Sequence, residues 1–407
     1  MKAATAFILL LVTGALQSRA DAPWQRHSID DSSRGADGVR LADVNGDGHL
    51  DITTGWEEGG VIRVYLNPGP KKAAQKWPAV TVGTVKSPED AVFADLDGDG
   101  SMDVVSSCEG KTRSMFFHWA PKLASNYLQA DAWQTQVVPC TASQQLWMFA
   151  LPFDVDGRNG IDLIVGSKGD NGSIGWLESP TNPRDVAAWK YHRLRDAGWI
   201  MSLVAHDMDN DGDLDVVASD RKGAKRGVFW LENPGPEASS TGVAWNDHSI
   251  GGTGRENMFL DVFNRRNNSP VVLSAVKPVG LIRFQHSGKA GSPRPNSVVE
   301  GPGWIGYTIE IPGETLGTGK SIRSADINLD GNEDLVYSCE QANGAKHGVV
   351  WLDMTESGLK LRPISGPEGV KYDLIQLVDL DADGDLDVIT CEERANLGVF
   401  WYENPTR

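Results

Sequence analysis

The chain has 407 residues, with 55 acidic and 38 basic side chains and a formal charge of −17. That balance argues against a nucleic-acid binder, which needs a basic face. The length exceeds the roughly 250 to 300 residues at which a single core stops growing, and 45 glycines and 14 tryptophans point to frequent tight turns and to repeats that distribute the core.

At the amino end, Lys2 precedes an apolar run from Ala3 to Leu16, followed by Ser18-Arg19-Ala20. Small residues at the two positions read by a signal peptidase predict a signal peptide over residues 1–20. The run is too short to span a bilayer, and no later stretch reaches about 18 apolar residues. Residues 21–407 are therefore expected to be one exported domain, secreted or periplasmic, with no transmembrane span.

Next comes Trp24-Gln25-Arg26-His27-Ser28-Ile29, a strand-like segment with no partner upstream. It shares a Trp-x-x-polar-x-apolar outline with segments beginning at Trp133, Trp189, Trp245 and Trp304. From Asp43 onward an Asp-rich unit recurs, with first aspartates at 43, 95, 154, 207, 261, 326 and 379. Each unit has a strand leading into the Asp loop and a β-branched strand leaving it. A third is aromatic, such as Gly227-Val228-Phe229-Trp230-Leu231-Glu232-Asn233-Pro234, and the fourth begins at the recurrent tryptophan. Short strands at this spacing, with no helical periodicity between them, predict an all-β, seven-bladed β-propeller of four-stranded antiparallel blades. The last unit stops after its third strand at Glu403, so residues 24–29 are expected to join that blade and close the ring. The recurrent tryptophans are read as wedges between blades.

The loops carry oxygen ligands at alternating positions around a Gly turn, as a calcium ion with six to eight ligands requires. Asp43, Asn45, Asp47 and Asp51 occupy loop positions 1, 3, 5 and 9, with Gly48 at position 6. Four further loops are complete: Asp95, Asp97, Asp99, Asp103; Asp207, Asp209, Asp211, Asp215; Asp326, Asn328, Asp330, Asp334; and Asp379, Asp381, Asp383, Asp387. About five structural calcium ions are expected. In the third unit Arg158 stands at position 5 among Asp154, Asp156 and Asp162, where its guanidinium is expected to take the ion's place. The unit at Asp261 has lost nearly all ligands, and no calcium is expected there.

In these loops the chain resembles the integrin-α-like FG-GAP/VCBS repeat family. That resemblance implies a seven-bladed propeller with calcium between the first and second strands, and it is weak for activity, since the repeat serves adhesion proteins, lectins and carbohydrate enzymes. The Trp230-to-Gly235 run followed by Trp245 and His248 also resembles the propeller of aldos-2-ulose dehydratases. That family's histidine-bound metal implies a histidine cluster that this sequence lacks.

Strands of one blade alternate in direction, so second-strand ends and first-strand starts should converge on the face opposite the Asp loops. Ligand-binding candidates there are Trp56, Glu57, Glu109, Lys168, Asp220, Arg221, Glu340, Glu392, Trp147 and Trp199, with Asp37, Glu89, Lys320, Asp373 and Glu393 beside them. Carboxylates, cations and indoles converging on a funnel suit a carbohydrate or an extracellular protein. Two readings stand at this point: a binding or scaffold module with no catalytic residue, or a carbohydrate-active lyase or dehydratase with its active site in the funnel.

Cys108, Cys140, Cys339 and Cys391 have no Cys-x-x-Cys spacing, which argues against zinc or thioredoxin-like chemistry. Export permits disulfides. Cys339 and Cys391 lie five and four residues after Asp334 and Asp387, an offset that turns them to opposite sheet faces, where they could meet across a blade boundary. Cys108 with Cys140 would be the other pair; four free thiols is the alternative.

Overall fold

The computed structural model describes residues 22–266, 268–286, 297–355 and 358–407; the expected signal peptide lies outside the described residues. Seven antiparallel sheets follow one another along the chain. Blade 4 represents the plan, with strands Ile200–His206, Asp215–Asp220, Gly227–Glu232 and Asn246–Gly251 paired in sequence order. Its third strand reads as an unbroken apolar run because both faces are covered: Phe229 and Leu231 pack into one apolar layer, Val228 and Trp230 into another. Every tryptophan except Trp199 is buried. Trp56 and Trp401, for example, wedge between blades 7 and 1.

Ring closure runs as expected. Gln25–Asp30 pairs antiparallel with Gly398–Glu403, with His27 opposite Trp401, and completes blade 7 beside Asp387–Glu392 and Gln376–Val378. The segment serves both faces of that blade, since Trp24 packs toward blade 6 and Ile29 toward blade 1. Blade 5 differs from the four-stranded plan. Ser297–Val299 adds a fifth strand outside Trp304–Ile309, drawn from the long insertion that follows His286.

The boundaries also carry ion pairs. Arg40 meets Asp90 at 2.9 Å between blades 1 and 2. Lys168 meets Glu109 between 2 and 3, Arg195 meets Asp247 at 2.8 Å between 3 and 4, and Arg221 meets Glu256 at 2.7 Å between 4 and 5. Lys277–Glu340, Lys320–Asp373 (3.0 Å) and Arg63–Asp30 complete the circuit. Each of the seven boundaries thus has a directional contact beside its apolar layer.

The cysteines correct the disulfide expectation: all four are free thiols. The offset between Cys339 and Cys391 does place them on opposite faces, but these are the outer faces of the two blades. The layer between blades 6 and 7 is filled by Val336 and Val388, while Cys339 points into the layer on the blade 5 side and Cys391 into the layer on the blade 1 side. Cys108 and Cys140 likewise serve different layers of blade 2. The histidines that follow fourth-strand tryptophans bond outward-facing glutamates, His27 to Glu403 at 2.7 Å and His192 to Glu178 at 2.7 Å. No helix among the described residues is long and apolar enough to cross a membrane.

If Gln25–Asp30 is an integral strand, truncating Ile29, which is 1% exposed, should cost as much as truncating a central strand. Ile29→Ala and Ile389→Ala are each expected to lose about 2–5 kcal/mol in urea unfolding. A near-neutral Ile29→Ala would mean that the ring is stable without its closing strand.

Candidate functional sites: the acidic loops and the axial cavity

Each Asp loop is shaped by backbone conformation. The position-6 glycines have positive φ, from 86° at Gly48 to 101° at Gly212, and a Cβ at Gly48, Gly100, Gly212 or Gly331 would meet nothing within 4 Å, while at Gly384 it would meet only the end of the Arg407 side chain. The requirement is the left-handed turn, not space. The position-1 side chain then faces the turn's amides: Asp43 Oδ1 accepts from Gly46 N–H (2.8 Å) and Oδ2 from Gly48 N–H (2.9 Å). These amides hold the Asp43 carboxyl below the usual range.

The last aspartate of the loop does more than the sequence disclosed. Asp51 accepts one N–H from Val44 in its own loop (3.0 Å) and one from Asn67 at the end of the third strand (2.7 Å). The same double bond recurs at Asp103, Asp162, Asp215, Asp334 and Asp387. Burial, with neighbouring loop carboxylates adding to it, pushes Asp51 up to about 6, Asp162 and Asp215 to about 7, and Asp103 and Asp387 to about 8.

Carboxylate oxygens converge to within 4.8 Å of one another in Asp95/Asp97/Asp99, Asp207/Asp209/Asp215 and Asp379/Asp381/Asp387. They also converge in Asp154/Asp156/Asp162. In that third loop Arg158 bonds Asp156 through its backbone N–H (3.0 Å), and its guanidinium forms no ion pair with these aspartates among the described residues, contrary to the expected substitution. The second loop instead receives Arg184, which pairs with Asp97 and lies 3.8 Å from Asp99. Asp261 sits inside the continuous strand Glu256–Asn264 and accepts the Ser324 N–H at 2.8 Å, joining blade 5 to blade 6.

At the other end of the strands, first-strand starts and second-strand ends enclose a cavity of about 330 Å³ on the axis. Of the ten candidates, Glu57, Glu109, Lys168, Arg221, Glu340 and Trp199 line it. The others are structural. Trp56 and Trp147 are fully buried, their indole N–H groups bonded to the Tyr65 hydroxyl and the Thr141 carbonyl. Glu392 is fully buried and collects amides of the turn that follows it, including Ala395 (2.9 Å). Asp220, also fully buried, accepts N–H bonds from Gly198 and Trp199.

Lys371 and Lys277 were not among the sequence candidates. Lys371 lines the cavity and pairs with Glu393; it precedes Asp373, where the first strand was expected to start. Lys277 ends the second strand of blade 5 and pairs with Glu340, and that blade's eroded Asp loop hid the register that would have found it.

Asp37, Glu57 and Glu89 bring carboxylate oxygens within 4.8 Å of one another. Burial, then the charge of Asp373, raises Asp37 well above the carboxylate range. Against its own burial, Asp373 is held down to about 2, by Lys320 first and then by a hydrogen bond with Asp37. The two carboxyls of this pair are thus pushed apart, Asp37 up and Asp373 down. Glu89 is pushed up to about 8 by burial and by Glu109 and Glu57, although Lys168 opposes the shift; Lys168 is engaged mainly with Glu109.

Because the folded-state value of Glu89 lies above its unfolded value of about 4.3, its contribution to stability is complete below that value and is lost as pH rises through about 8. Glu89→Gln removes this loss. The melting temperature of the variant relative to the native protein is expected to rise between pH 5 and pH 8 at constant calcium. No relative change over that range would mean that Glu89 is ionised and held by Lys168.

Residues 43–106 match the family model described as an FG-GAP-like repeat. No curated protein matches the sequence. Among solved structures, the BP39L lectin of Burkholderia pseudomallei is similar over 91% of this chain and 99% of its own, at 15% identity and a TM-score of 0.56. The Cps50 (Swd1) β-propeller domain of Myceliophteria thermophila is similar over 93% and 100%, at 9% identity and a TM-score of 0.54. BBS1N, solved in complex with ARL6DN, is similar over 95% and 99%, at 9% identity and a TM-score of 0.51. At these identities the likeness concerns the fold. The chain is a seven-bladed β-propeller that carries an FG-GAP-like repeat.

Proposed function

We propose that the protein is an exported, calcium-stabilised binding module that holds a carbohydrate or extracellular protein in the axial cavity, on the face opposite the Asp loops. The observation that carries this reading is the cavity itself, where carboxylates, ammonium groups and Trp199 converge at the strand ends farthest from the loops. Binding propellers of the same fold, a lectin and a chain solved with a protein partner, support it. The export reading rests on Lys2, the apolar run after it and Ser18-Arg19-Ala20.

For the metal, the donor set fits a hard divalent cation. Oxygens converge within 4.8 Å, and Asp385 Oδ1 and Asp213 Oδ1, at position 7 of their loops, are buried with no hydrogen-bond partner. Positions 1, 3, 5 and 9 of the five complete loops would hold calcium, with the position-7 carbonyl as a further ligand. Bound calcium would neutralise the crowded carboxylates and so stabilise the hairpin bends.

One observation favours the second reading, a lyase or dehydratase: Asp37 and Asp373 form a carboxyl–carboxylate pair with values pushed apart, the pattern of an acid/base couple.

Chelation is expected to lower the melting temperature. Asp211→Ala, at an exposed position, should lower it partially, through a loss of about 1–2 kcal/mol of stability for one site at calcium tenfold above its dissociation constant. Insensitivity to both would exclude structural calcium. Glycan-array binding and turnover assays, with calcium present, separate the two functional readings. Binding without product supports the module, whereas an unsaturated sugar product abolished by Asp37→Asn establishes the enzyme.

A further inference from the structure

We infer that the turns of blades 3 and 4 form a subsite for an acidic sugar residue, centred on Trp199. The inference rests on the sugar-binding reading above and specifies the class of sugar.

Trp199 is the one tryptophan not buried in the layers between blades. Its indole Nε1 is buried and has no hydrogen-bond partner. Three cations surround the ring: Lys168 Nζ and Arg221 Cζ at 4.6 Å from its centroid, and Lys222 Nζ at 4.8 Å. Glu109 compensates Lys168 and Glu256 compensates Arg221. Lys222 is exposed and has no carboxylate in ion-pair range among the described residues.

Beside this ring lies a cavity of about 840 Å³ that also takes in Arg193 and Lys225. Its carboxylates are largely committed. Asp196 pairs with Arg193 at 2.7 Å. Asp220 is fully buried and accepts the Gly198 (3.0 Å), Trp199 (2.8 Å) and Lys222 (3.3 Å) N–H groups, while Asp170 stands exposed at the rim.

The site is held in shape by its backbone. A Cβ on Gly198 would lie 2.2 Å from the Lys222 carbonyl oxygen, so glycine lets the two turns approach, and Asp220 locks both. What converges on the open space is a set of cationic groups around the partly exposed surface of one indole, whose own Nε1 is buried behind it. An anionic group with a sugar ring attached satisfies both features: its carboxylate or sulfate oxygens accept from Lys222, and its ring packs beside the indole.

The test is titration calorimetry of the full chain in calcium with three short probes: an oligogalacturonate, a sulfated oligosaccharide and a neutral oligosaccharide of the same length. The two acidic probes distinguish carboxylate from sulfate. At least one is expected to bind tenfold or more tightly than the neutral probe. Lys222→Ala, a surface change, should weaken that binding at least fivefold at an unchanged melting temperature, and Trp199→Leu, which removes the aromatic surface, should weaken it at least fivefold as well. Equal binding of the neutral probe would overturn the acidic subsite and leave the sugar-binding reading intact. Acidic binding unaffected by both variants would also overturn the subsite, and failure of all three probes would overturn both.

Discussion

The buried aspartate that closes each acidic loop is the constraint on which the blades depend. It lies at the start of the second strand, yet its two oxygens accept amides from the loop before it and from the end of the third strand, as Asp51 does with Val44 and Asn67. One carboxylate thus ties together three segments of a blade. A buried carboxylate costs free energy unless its charge is answered, and in most blades other aspartates crowd it further. The same atoms that fasten the hairpin therefore create a demand for a proton or a cation. The blade lacking this aspartate, blade 5, keeps its shape by other means: its first strand runs through the loop position, and Asp261 turns to the next blade.

Strand length converts this local device into two separate faces. A first strand of seven residues, such as Ile200–His206, spans on the order of 20 Å. The acidic loops and the axial cavity are accordingly too far apart for direct contact, and metal in the loops could act on the cavity only by holding the strands that carry its residues.

Fold and loop positions were legible because they repeat: a glycine needed for a positive φ and an oxygen at every second position survive in five units. The closing strand was legible from one missing partner. Side-chain direction at the strand ends was not. Trp56 and Trp147 sit where exposed indoles were expected, but both turn into the layers between blades. The cysteine offset identified opposite faces without saying which face looked inward, a parity that only the neighbouring valines reveal. The amide-binding roles of Asp220 and Glu392 have no sequence signal, because a carboxylate at a turn reads the same whether it faces solvent or the turn's own N–H groups.

The ion pairs around the ring sort the charges of the cavity into two kinds. Apolar layers resist separation of the blades but tolerate sliding, whereas a pair such as Arg221–Glu256 or Lys320–Asp373 has one geometry. Neither the half-exposed nor the buried pairs of this sort contribute much net stability, so their consequence is register. Groups committed to register are unavailable to a ligand without loosening a boundary. The uncommitted ones are few: Glu57, without an ion pair among the described residues, Asp37, whose carboxyl is pushed up by burial, and across the cavity mouth the exposed Lys222 beside Trp199. Uncommitted carboxyl groups thus lie on the blade 1 side and an uncommitted cation on the blade 4 side. A ligand lying across the mouth would meet carboxyl groups at one end and cationic groups at the other, and that polarity gives it a direction.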